Sequence, residues 1–120
     1  MKTILALTFC LLSACASPPP GPGDGIVGEW RYADKIQSCH YVFSRDGSFN
    51  GDVIYRGKAI SKFTGRWAIS GDVLQYTYTA DALGRIPAGA TDRDKLLSVK
   101  KEFFVIQAAD GSRRQYDRIP

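Results

Sequence analysis

Beyond residue 25 the chain alternates apolar and polar residues in short runs, each broken by a glycine-containing turn. The turns are Arg45-Asp46-Gly47-Ser48, Arg56-Gly57-Lys58, Ser70-Gly71-Asp72 and Ala109-Asp110-Gly111-Ser112. A period of two places successive side chains on opposite faces of a strand, so the pattern predicts an antiparallel all-β meander. Strands are expected at residues 26–33, 38–44, 48–56, 59–70, 73–80, 97–108 and 112–119. That makes seven, or eight if the long connection at residues 81–95 holds another.

Turn chemistry fixes the register, because a slip of one residue would exchange the two faces of a strand. A three-residue loop at Arg45-Asp46-Gly47 with a left-handed glycine pairs Phe43 with Phe49 and Ser44 with Ser48. A two-residue loop at Gly71-Asp72 pairs Ser70 with Val73, Ile69 with Leu74 and Trp67 with Tyr76. Treating Ala109-Asp110-Gly111 like the first loop pairs Ile106 with Arg114, Phe104 with Tyr116 and Glu102 with Arg118. These registers gather one face from Gly28, Trp30, Tyr32, Cys39, Tyr41, Phe43, Phe49, Gly51, Val53, Tyr55, Phe63, Gly65, Trp67, Ile69, Leu74, Tyr76, Tyr78, Phe104, Ile106 and Tyr116. All six tyrosines and both tryptophans of the chain fall on it. A sheet with one aromatic face and one charged face has to curl over itself to hide the former, giving a small barrel or half-barrel.

Gly28-Glu29-Trp30, the turn Phe43-Ser44-Arg45-Asp46-Gly47-Ser48-Phe49, and Gly65-Arg66-Trp67 followed by Ile69-Ser70-Gly71-Asp72-Val73-Leu74 resemble the bacterial lipocalin-like domain families. The resemblance covers most of residues 26–120. It implies a lipocalin-like barrel in which Gly28 and Trp30 close one end and an arginine of the last strand, Arg114 or Arg118, packs over Trp30. The domain is shorter than a typical lipocalin, which argues against a large cavity.

The amino end belongs to a different kind of segment. Met1-Lys2 gives a positive start, and the apolar run that follows to Leu12 is too short to span a bilayer, as in a secretion signal. Leu12-Ser13-Ala14-Cys15 resembles the lipobox of bacterial lipoproteins, which implies a signal peptide at 1–14 and lipidation of Cys15. Several acyl chains hold a protein on a membrane durably where one is marginal. Ala16 and Ser17 follow the cysteine, and the absence of aspartate there implies sorting to the outer membrane, facing the periplasm. The proline- and glycine-rich remainder of 15–25 has no large apolar residue before residue 26 and reads as a tether to one domain at 26–120.

The chain carries a formal charge of +4, and loss of Lys2 with the signal takes it to +3. Without a dense basic run, an exported protein of this kind is not expected to bind nucleic acid. Cys10 leaves with the signal and Cys15 takes lipid, so Cys39 has no intramolecular partner and reads as a buried apolar residue. Cys39 and His40 are adjacent on a strand and point apart, and His40 is the only histidine, so neither a metal site nor a triad assembles. No cofactor is expected. Asp92 and Asp94 lack the glycine spacing of a calcium loop.

The residues expected to meet a ligand are Tyr55, Trp67, Tyr76, Tyr78, Arg114 and Tyr116. Arg114 and Tyr116, two positions apart on one face, are arranged like the carboxylate clamp of fatty-acid-binding proteins. The alternative for Arg114 is packing on Trp30 or pairing with Glu102 or an aspartate. The tyrosines either line an amphipathic pocket or fill the barrel solid. Residues 81–95 are either a lid or a solvated excursion. Function therefore divides between a membrane-tethered, non-catalytic binding module for a small apolar or amphipathic molecule and a filled barrel that docks an envelope protein. No nucleophile, base and orienting group can be assembled into a hydrolase.

Overall fold

The computed structural model describes residues 25–120. The predicted signal peptide, Cys15 and the tether to residue 24 lie outside the described residues. Eight antiparallel strands follow in chain order: β1 (Gly28–Ala33), β2 (Gln37–Phe43), β3 (Ser48–Tyr55), β4 (Lys58–Ser70), β5 (Val73–Asp81), β6 (Thr91–Val99), β7 (Phe103–Gln107) and β8 (Arg113–Arg118). Each pairs with the next, and β8 returns to pair with β1, closing a barrel. A meander can close antiparallel only with an even number of strands, and here the eighth comes from the long connection.

Three of the register arguments hold in the structure. Phe43 pairs with Phe49 across β2 and β3, Trp67 with Tyr76 across β4 and β5, and Phe104 with Tyr116 across β7 and β8. The β2–β3 and β7–β8 turns are built alike. In one, Asp46 Oδ1 accepts from the Ser48 amide and hydroxyl; in the other, Asp110 Oδ1 accepts from those of Ser112. Such Asx contacts hold the loop while a glycine, Gly47 at φ 90° or Gly111 at φ 87°, supplies the left-handed residue.

Two expectations are corrected. Residues 97–108 are not one strand: the charged triplet Lys100-Lys101-Glu102 turns the chain between β6 and β7, with the Lys100 amide donating to the Phe103 carbonyl. Residues 81–95 are not one loop either, since Thr91–Val99 forms β6 and pairs with β5 from Val73↔Lys95 to Thr77↔Thr91. Only 82–90 remains a connection. It is pinned by Asp81, whose carboxylate accepts from the Ser61 hydroxyl and the amides of Lys62, Leu83 and Ile86. Desolvation would raise the Asp81 pKa, but those four donors outweigh it and take it down to about 2.

The interior is aromatic and filled. Tyr41 lies at its centre, with its ring centroid 5.4 to 6.3 Å from those of Phe43, Phe49, Phe63, Tyr76 and Tyr116. Space for rings this large in so short a domain comes from a reciprocal pairing on β3 and β4, Phe49↔Gly65 and Gly51↔Phe63. Each glycine lies under the ring of its partner, where a Cβ would collide with that ring and with a neighbouring strand's carbonyl.

Candidate functional site

The barrel has two dissimilar ends, and β8 contributes an arginine to each. At the end where the chain enters, residues 25–26 form a helical turn rather than the start of β1. Ile26 is fully buried there, and its carbonyl accepts from Trp30 Nε1 at 2.7 Å. Trp30 packs edge-on against Phe104 at 4.8 Å. Over its other side lies Arg118, with the guanidinium carbon 4.1 Å from the ring centroid. Arg118 spends its donors on backbone carbonyls: Nε on Lys101 at 2.6 Å, Nη1 on Val27 and Nη2 on Gly25, both at 3.1 Å. Gly28, at φ 137°, sits directly under this guanidinium, where a Cβ would collide with Nη1. This end is shut by Trp30 and by three hydrogen bonds from Arg118 to backbone carbonyls.

At the opposite end, under the β7–β8 turn, a cavity of about 290 Å³ enters the barrel. It is lined by Tyr41, Asp92, Asp94, Ile106, Arg114 and Tyr116, with Asp110 and the alanines of the β7–β8 turn at its edge. Arg114 is half-buried, stacked 5.4 Å from the Tyr32 ring and within hydrogen-bonding reach of the Tyr116 hydroxyl. Asp94 accepts a hydrogen bond from the buried Tyr76 hydroxyl at 3.0 Å. Burial raises the Asp94 pKa to about 6; the Tyr76 hydrogen bond and Arg114 oppose that rise and the Asp92 charge adds to it. Burial also raises Tyr116 and lifts Tyr41 and Tyr76 well above the usual phenol value, so all three stay protonated.

The residues expected to meet a ligand scatter. Arg114 and Tyr116 line the cavity, and Tyr76 reaches it through Asp94. Tyr78 packs edge-on against Phe49 and Phe63 within the filled core, its pKa pushed up to about 12 by burial. Trp67 donates to the Ser44 carbonyl at 3.0 Å, under the β2–β3 turn at the shut end. Tyr55 is exposed at the rim, because the wall of inward residues stops at Val53 below it. Its expected place in a pocket is therefore corrected. Burial pushes the Cys39 thiol up, so it is held protonated and is no nucleophile.

Asp92 and Asp94 are the site residues that the sequence pattern hid. They face inward because Leu74 pairs with Asp94 and Tyr76 with Asp92. Thr91-Asp92-Arg93-Asp94-Lys95 is polar on both faces, so the period-two signal vanishes where the barrel wall borders the cavity. The need for an even strand count was the signal available.

A larger concavity, about 510 Å³, lies on the outer wall among His40, Asn50, Asp52, Lys62, Thr64 and Ala80. Within it His40 contacts Glu29 at 2.6 Å and Asp52 at 3.5 Å. The mouth is where inward-facing charge, phenols and a cavity coincide, and chemistry concentrates in such places.

No protein-family profile matches the chain, and a search of curated proteins finds no match. Among solved structures, the crystal structure of a lipocalin-like protein from Bacteroides uniformis is similar, with a TM-score of 0.59 at 16% identity over 79% of this chain and 99% of that one. At that identity the likeness is one of fold. The described domain is a lipocalin-like eight-stranded barrel.

Proposed function

We propose that this chain is a lipid-anchored protein of the bacterial envelope, held to the outer membrane through Cys15 and acting as a non-catalytic binding module for a small amphipathic molecule. The observation that carries the binding reading is the 290 Å³ cavity bounded by Arg114, Tyr116, Tyr41 and Asp94 above a solid aromatic interior. It accepts a small molecule or the polar end of a larger one, while the rings below leave no room for a long acyl chain in the barrel. The anchor reading rests on Met1-Lys2, the apolar run and Leu12-Ser13-Ala14-Cys15. The chain meets the barrel at its shut end, where Arg118 binds the Gly25 carbonyl, so a tether from Cys15 would join the domain at the end opposite the mouth.

Two measurements test this. Metabolic palmitate label should enter the wild-type chain and be absent from Cys15→Ala, which should also leave the membrane fraction; equal labelling of both overturns the anchor. Mass spectrometry of the purified chain should find a small molecule that is depleted in Asp94→Asn; an empty profile in both overturns the binding reading.

A second reading, docking of an envelope protein, is favoured by one observation. Ile36, Ile54, Tyr55 and Leu83 are exposed, on loops and strand ends at the mouth side. A single stoichiometric partner recovered after crosslinking, together with no bound small molecule, would replace the first reading with this one.

A further inference from the structure

The sign of the ligand's charge can be read from the walls of the mouth. Three carboxylates border the cavity, Asp92 and Asp94 on β6 and Asp110 in the β7–β8 turn, against the single guanidinium of Arg114. A carboxylate held by Arg114 and Tyr116 would have to sit within a space bordered by these three like charges, which repel it. Arg114 is moreover already stacked on Tyr32 and within reach of the Tyr116 hydroxyl. The Asp94 carboxylate, by contrast, has one protein donor, Tyr76, on Oδ2. That single donor leaves acceptor capacity on a half-buried group that borders the cavity. Beside it are the rings of Tyr41 and Tyr116, whose faces attract cations and apolar methylenes alike.

We infer that the mouth selects a small organic ammonium compound, its cationic head on Asp94 and Asp92 and its short apolar body against Tyr41, Ile106 and Tyr116. Arg114 on β8 then orients the guest by repelling the head toward β6. This rests on the binding reading above and specifies the ligand class that reading leaves open. The polar neighbours explain why the site is shallow: an ammonium needs a carboxylate partner and partial hydration, whereas a fatty acid needs a deep apolar slot.

The test uses the full chain in nanodiscs and three probes of equal size, n-butylammonium, butyrate and n-butanol, followed by saturation-transfer NMR at pH 7.5. Butylammonium should bind, with Asp94→Asn weakening it about tenfold and Asp92→Asn weakening it less; butyrate should show no transfer. Binding of butyrate or butanol in preference to the amine overturns the ammonium assignment while leaving the mouth as a binding site. Amine binding that neither Asp94→Asn nor Asp92→Asn alters overturns the assignment too. If none of the three binds, the mouth reading fails along with it. Asp92 is exposed, so its variant serves even if Asp94→Asn perturbs the fold.

Discussion

Arg114 and Arg118 sit four residues apart on one strand and on the same inward face, yet they do opposite things. Arg118 is consumed by its surroundings, with three carbonyl acceptors and an indole beneath it, and it seals the end at which the chain enters. Arg114 stands half-exposed at the other end, beside a cavity and across from carboxylates. What differs is the set of acceptors within reach. Where backbone carbonyls converge, a guanidinium becomes structure; where phenols and aspartates line a void, it is left bordering that void.

The contrast can be broken most severely at the shut end. Trp30→Ala should cost about 3–5 kcal/mol, a large share of the stability of a domain this size, and should appear as a lowered denaturant midpoint or an unfolded chain. Arg118→Ala should follow at about 2–4 kcal/mol, because three backbone acceptors lose a charged donor and the indole loses its cover. Arg118→Lys should not restore it, since an ammonium cannot span three divergent carbonyls; a full rescue would show that charge alone matters there.

The open end should respond weakly and with the opposite sign. Between about pH 4 and 6 the folded chain keeps a proton on Asp94 that the unfolded chain, with an ordinary carboxylate near 3.8, has released. The stability held by that group is therefore complete below the unfolded value and is lost as pH rises through about 6. Asp94→Asn should be more stable than wild type at pH 7.5 by about 1 kcal/mol after allowance for solvent screening. It should also flatten the loss between pH 4 and 6 in thermal melts. A destabilised Asp94→Asn at pH 7.5 would show that the Tyr76 hydrogen bond outweighs desolvation. The smallest effect is expected for Arg114→Ala, within about 1 kcal/mol of wild type in chemical denaturation. A loss as large as that of Arg118→Ala would erase the distinction between the two ends.

The fold was legible to the extent that packing was encoded as alternation. The β2–β3, β4–β5 and β7–β8 hairpins could be registered because aromatic residues marked one face and glycine-containing turns marked the ends. β6 could not, since its inward positions 92 and 94 are aspartates and its outward ones are charged as well, so hydropathy carries no face. The same residues explain why only part of the site was foreseen. Arg114 and Tyr116 announce themselves by their spacing, but which arginine covers Trp30 depends on the tilt with which β8 meets β1. Tyr55 was misplaced because strict alternation does not say where a wall ends. Whether tyrosines fill or line an interior depends on Gly51 and Gly65 admitting Phe63 and Phe49, a cross-strand fit rather than a local pattern.

Closure by β8 also sets the order in which this domain can be completed. Arg118 donates to carbonyls 91 and 93 positions earlier in the chain, and the β1–β8 ladder joins the two extremes of the described polypeptide. Every other strand pair is between neighbours in sequence and needs only a short loop. The hairpins can thus form by local closure, but the seam has to wait for β8, and a long excursion must close at once. Until then Trp30 lies uncovered. A chain lacking β8 would keep its hairpins and lose both the closing ladder and the guanidinium that covers Trp30.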